Sequence, residues 1–186
     1  MLFLKHTQLL ADVLTISRVF IGISFIVLGV GWGAEFISTA ILFMLLAWLT
    51  DMLDGPLARL DIDHPQTWIG SHDSEADLIV SLGITGYLVL SGYLTIWLGG
   101  TLLLLIPGLW FFHSQQLAWP FYAIPYVSLI FISLKADPIY GQIALVVLIL
   151  IGIIYRERLR SRYVPEFLQT LKNLFLQEKK DTNLNS

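Results

Sequence analysis

The sequence predicts an all-α, polytopic membrane protein with six transmembrane helices and short amphipathic segments at both ends. Three observations predict it. Of 186 residues, 56% are hydrophobic and only 13% charged, with a mean hydropathy of +0.73, far from the balance of a soluble domain. Apolar runs recur along nearly the whole chain, and most approach the ~20 residues a helix needs to cross a bilayer. The runs are too long for strands and lack period-two alternation, with leucine, isoleucine and alanine dominating, which argues against a β-barrel.

The six runs follow in order as residues 13–34, 36–50, 78–98, 101–112, 117–134 and 139–155. The first could be mistaken for the core of a signal peptide, since Lys5 and His6 precede it. Arg18 interrupts that core, however, and "GWGA" is a poor cleavage site, so it is read as a retained first span. The second can borrow turns from residues 51–59, where Pro56 is the only strong breaker. Pro107, Pro120 and Pro125 are expected to kink the fourth and fifth spans. Beyond the sixth, a basic turn leads into a short amphipathic helix with Phe167, Leu168, Leu171, Leu174 and Phe175 on its apolar side, expected to lie on the membrane surface. Residues 1–11 are thus an interfacial N-terminal segment, 12–156 the six-helix unit and 157–186 a basic, amphipathic tail. No repeat or second domain is visible. Without cysteine the chain forms no disulfide.

Basic residues set the expected orientation. With the N-terminus in the cytoplasm, the inner segments hold Lys5, Arg59, Arg156, Arg158, Arg160, Arg162, Lys172, Lys179 and Lys180, while the outer loops hold only Lys135. Both termini then lie inside. Trp32 and Trp97 fall near the outer surface, and Trp68 and Trp119 near the inner one, as interfacial indoles should.

On the cytoplasmic side, residues 50–77 carry seven of the fourteen carboxylates. Asp51 and Asp54 are three apart at the inner end of the second span and share a helix face. Asp73 and Asp77, four apart at the start of the third, do likewise. Four carboxylates converging near hydrocarbon repel one another unless cations compensate, and oxygen-only ligands select hard ions such as Mg²⁺ or Mn²⁺. Gly55 and Ala58 present almost no side chain beside them, and Arg59 supplies a fork suited to phosphate. Together these describe a pyrophosphate site on a divalent metal. A transporter with buried carboxylate relays is the competing reading, though the polar residues gather at one face and the outer half is nearly featureless.

Asp51, Asp54, Gly55, Ala58, Arg59, Gly70, Asp73 and Asp77 resemble the D-x2-D-G-x2-A-R-x8-G-x3-D-x3-D pattern of the CDP-alcohol phosphatidyltransferase (CDP-alcohol phosphotransferase) family. "DVLTISR", with Asp12, Thr15 and Arg18, is similar to that family's Asn/Asp-x-x-Thr-x-x-Arg at the start of its first helix. The segment from Arg59 to Asp73 is one residue longer than the pattern, a change a loop absorbs cheaply.

The resemblance implies a cytoplasmic active site in an integral protein of the bacterial inner membrane. It implies transfer of a phosphatidyl group from a CDP-linked lipid donor, expected as CDP-diacylglycerol, to a small alcohol acceptor with release of CMP. It also implies two Mg²⁺ or Mn²⁺ ions held by Asp51, Asp54, Asp73 and Asp77, with Asp77 as general base. Asp12, Thr15, Gly55, Ala58 and Arg59 would contact the donor, with Thr67 a weaker candidate. His113, Arg156 and Arg158 are expected near the acceptor, a setting that favours a phosphorylated polyol. A homodimer is a further implication, no nucleic-acid partner is called for, and a catalytically inactive scaffold is the remaining alternative.

Overall fold

The structure, a computed structural model, describes residues 2–59, 67–112, 115–158, 160–161, 164–170 and 172. Six long helices account for most of it: α1 (Leu2–Gly31), α2 (Ile37–Arg59), α3 (Asp73–Leu90), α4 (Ile96–Phe112), α5 (Gln115–Ala136) and α6 (Pro138–Arg158). Among the described residues there is no strand. By length and composition, three segments are apolar enough to cross a membrane, Gln8–Gly31, Gly33–Asp54 and Pro138–Glu157, and Ile96–Phe111 and Pro120–Ala136 are shorter apolar helices.

The six helices follow in the expected order. Residues 2–11, expected as an interfacial segment, are helical and continuous with the rest of α1. Nothing in them breaks a helix, so the backbone continues its hydrogen-bond ladder past the polarity change. As expected from residues 51–59, α2 continues past its apolar run through Pro56 to Arg59, which carries Asp51 and Asp54 on regular helix. Helices α4 and α5 also continue through Pro107, Pro120 and Pro125. In the tail, residues 164–170 are helical with Val164 and Leu168 exposed, while Leu171, Leu174 and Phe175 lie outside the described residues.

Helix α1 packs along both α2 and α3, and α4, α5 and α6 complete the bundle on the far side of α3 and α2. The α1–α3 contact is set by small residues. A Cβ on Gly83 would come within 2.3 Å of the Gly22 carbonyl oxygen, and one on Gly22 within 2.8 Å of Ile79 Cγ2. Without side chains there the two backbones touch, which gains close packing where lipid supplies no hydrophobic drive. Further along, Gly86 meets Ile26 and Gly29 meets Leu90, so the two helices run parallel and the starts of both lie at the same end.

The opposite end is closed by turns and hydroxyls. Gly33 (φ 63°) follows α1 and Gly92 (φ 75°) follows α3, each in the left-handed region that costs a glycine nothing. Tyr87 and Tyr93 donate from their hydroxyls to the carbonyls of Gly33 and Ala34 at 3.2 and 3.0 Å, and Ser38 donates to Asp137 at 2.6 Å. Between the ends, Phe25 packs edge-on to Phe43 and against Tyr87, with Ile41, Met44, Ile84 and Leu129 buried around them. Buried Thr50, Thr85 and Ser133 return their hydroxyls to carbonyls of their own helices, as a water-free interior demands.

Candidate metal and donor site

The end of the bundle where α1 and α3 begin and α2 finishes gathers the acidic residues. On α2, Asp51 and Asp54 fall on one face one turn apart; on α3, Asp73 and Asp77 do the same. Helix α1 passes between them and inserts Arg18. Its guanidinium is completely buried and pairs with all four: Nη1 donates to Asp51 Oδ1 at 2.8 Å and Asp77 Oδ1 at 2.6 Å, while Nη2 donates to Asp54 and Asp73. Thr15, one turn before Arg18, places its hydroxyl 3.5 Å from Nη2.

The cluster is buried on one side and open on the other. Asp54 is 9% exposed at its side chain, against 48% for Asp51, 42% for Asp73 and 38% for Asp77. Among the described residues, one cation faces four carboxylates, three formal negative charges more than it balances. Asp51, Asp54 and Asp73 each offer an oxygen, and these oxygens lie within 4.8 Å of one another. That donor set is all oxygen and anionic, so it fits a hard divalent cation.

Around the cluster, Thr67 donates to Asp12 Oδ1 and accepts from the Gly70 amide at 2.9 Å. The start of α1 is thereby tied to the segment leading into α3, and three residues expected at the donor, Asp12, Thr15 and Thr67, stand on the same side of the bundle as the aspartates. Gly70 opens a single 3-10 turn before α3, its amide taken up by Thr67, so the lengthened loop still delivers Asp73 to the first turn of α3. His72 stacks on Trp68 at 4.3 Å and bonds its carbonyl oxygen, a local packing role.

Other expected residues are less engaged. Gly55, Ala58 and Arg59 occupy the last two turns of α2, and the surroundings of their side chains lie outside the described residues. His113 lies outside them altogether, as does the Arg158 side chain. Arg156 is exposed near the end of α6, and no described ion pair joins it to the cluster.

The sequence reading missed two features. In the sequence Arg18 stands out only as a charge inside an apolar run and as the end of the DVLTISR stretch; the structure makes it the partner of four carboxylates. Its signal was present, for it is the sole charged residue in the run 13–34. The second is on α5. Tyr122 stacks on Trp110 of α4, and its carbonyl accepts from Ser81 of α3 at 3.4 Å. Among the described residues, the Tyr122 hydroxyl and Glu75 Oε2 are buried without a hydrogen-bond partner. Tyr126, which the sequence places with His113 near the inner surface as a candidate acceptor contact, stacks on Trp48 of α2. Nothing in the spacing of α5 distinguishes Tyr122 from an ordinary interfacial tyrosine.

Apolar helices with an acidic cluster at one end are those of an integral membrane protein, and three of the aspartates could hold a metal ion. The family model for CDP-alcohol phosphatidyltransferase matches residues 8–159, and the chain belongs to that family. No match is found among curated proteins or among solved structures. Membership makes it a transferase of phospholipid synthesis in the membrane, in a family that uses divalent metal ions.

Proposed function

We propose that the protein transfers a phosphatidyl group from CDP-diacylglycerol to a small alcohol, releasing CMP. The observation that carries this reading is the four-aspartate cluster with three charges left over, beside Thr15, Asp12 and Thr67. Asp51, Asp54 and Asp73 would hold Mg²⁺ or Mn²⁺, with Asp77 completing a pair of ions. Bound there, the ions would neutralise the donor pyrophosphate and the charge that develops as CMP departs.

The chain's own groups do the rest. Asp77 takes the proton from the acceptor hydroxyl at its carboxylate, and that oxygen attacks the β-phosphorus as the bond to CMP breaks. The described bonds to Asp77 engage only Oδ1. Arg59 receives the phosphate charge and Ala58 gives clearance, while Asp12, Thr15, Gly55 and Thr67 contact the donor. On the acceptor side, the Tyr122 hydroxyl is buried without a hydrogen-bond partner among the described residues, which supports a hydroxyl-bearing acceptor entering along α5. Arg156, Arg158 and His113 would add contacts for an acceptor that carries its own phosphate.

All six helices are taken to span the membrane, with the cluster and both termini in the cytoplasm of a bacterial inner membrane. Two exposed indoles, Trp32 and Trp97, sit at the end remote from the aspartates, and exposed Trp68 sits at the aspartate end, as two interfacial belts require. A homodimer remains part of this reading by family resemblance. The test is release of labelled CMP from CDP-diacylglycerol by purified protein with Mg²⁺ or Mn²⁺ and a panel of alcohols. Metal-dependent hydrolysis or transport without any alcohol-dependent CMP release would reject it.

A further inference from the structure

We propose that Arg18 is a tethered counter-cation that exchanges partners. It holds the four aspartates together in the metal-free protein, and it turns to the donor's phosphate oxygens once those carboxylates bind divalent ions. The proposal rests on reading the cluster as a metal and donor site.

Three observations carry it. First, Arg18 claims Asp51, Asp54 and Asp73, the same three residues whose oxygens converge within 4.8 Å. A guanidinium and a divalent ion on shared carboxylates repel each other strongly where water is scarce, so Arg18 must give up some of these contacts. Second, Arg18 cannot retreat with its helix. Gly22, one turn along α1, lies in backbone contact with Ile79 and Gly83 of α3, which leaves only side-chain rotation. The guanidinium is completely buried, so any rotation keeps it inside the site. Third, Arg18 Nε is buried without a hydrogen-bond partner among the described residues. A charged donor left unmet in this way costs free energy until an acceptor arrives. Nε and Nη2 form one edge of the guanidinium fork, a geometry matched to two oxygens of a phosphate. The incoming donor supplies such oxygens, and the released arginine supplies the charge.

The test uses the full chain in lipid nanodiscs, with Mn²⁺ binding measured by calorimetry on metal-free protein and CDP binding measured at saturating Mn²⁺. Relative to wild type, Arg18→Gln is expected to bind Mn²⁺ about tenfold more tightly or better, the scale on which neighbours of a metal site act. It is expected to bind CDP at least about tenfold more weakly and to unfold at lower temperature when metal-free. Arg18→Lys keeps the charge but not the fork, so its Mn²⁺ affinity should stay near wild type while CDP binding falls. Mn²⁺ affinity in Arg18→Gln equal to or weaker than wild type, or unchanged CDP affinity, overturns the proposal. Asp54→Asn separates the two readings: if it loses Mn²⁺ while Arg18→Gln behaves as wild type, the metal site stands and the partner exchange falls. Should Arg18→Gln fail to fold, arginine side-chain ¹⁵N resonances of the wild type decide. The resonance missing from Arg18→Lys must shift on adding Mg²⁺ and again on adding CDP, and a resonance that Mg²⁺ leaves unmoved overturns the idea.

Discussion

Arg18 Nη1 and Asp77 Oδ1 lie 2.6 Å apart although 59 residues separate them in the chain. The contact crosses from the second turn of the membrane-facing part of α1 to the first turns of α3. It sets the proposed general base against a buried cation, and it depends on how closely the two helices approach.

That approach is testable at Gly83. A methyl added there would sit 2.3 Å from the Gly22 carbonyl oxygen, so Gly83→Ala must push α1 and α3 apart. The expected cost is about 1–3 kcal/mol, the range for overpacking a close contact. It should appear as a lower unfolding midpoint in detergent, accompanied by loss of transfer because Arg18 and Asp77 ride on the displaced helices. Gly100→Ala, where a Cβ meets nothing within 4 Å, is the matched control and should leave both unchanged.

Replacing Asp54 by asparagine deletes a charged ligand from the most buried corner of the cluster. Metal affinity should fall by at least the ~10–100-fold that loss of an outer-shell partner costs. Mn²⁺ titration and CMP release should fall together, and EDTA should silence the wild type. Full turnover in Asp54→Asn would remove the metal assignment.

With Asp77→Asn the two readouts should part. At saturating metal, binding of CDP-diacylglycerol is expected to stay within a few-fold of wild type, because a general base serves the acceptor, while kcat drops by roughly 10²–10⁴. Near-normal transfer at every pH would assign the proton to another group.

The acceptor side is probed at Tyr122 and Arg156. Tyr122→Phe removes a buried hydroxyl that has no partner among the described residues, so the fold should not suffer. KM for the alcohol should rise about 5–30-fold, equivalent to one hydrogen bond of ~1–2 kcal/mol, with donor binding unchanged. Arg156→Ala should raise KM only for a phosphorylated acceptor. A wild-type enzyme that accepts unphosphorylated alcohols alone would discard the phosphorylated-polyol preference and leave Tyr122 in place.

Much of this was legible before any coordinates. A helix repeats every 3.6 residues whatever surrounds it, so Asp51 with Asp54, and Asp73 with Asp77, had to share faces. The long apolar runs required helices because a bilayer leaves backbone groups no other partners. Local rules also explain why α1 begins as early as Leu2, since the polarity changes near residue 12 but nothing there breaks the helical ladder.

The sequence by itself therefore determined the helical class, the two carboxylate pairs and the motif that ties the chain to its family. Only the tertiary structure decided what stands between the pairs. Arg18 meets partners 33, 36, 55 and 59 residues away, and the Thr67 link to Asp12 spans 55. Helical periodicity fixes angles within one helix and is silent on the register between helices. That register came from the Gly22–Gly83 backbone contact, whose closeness no spacing rule encodes, and it turned one arginine in an apolar run into the centre of the site.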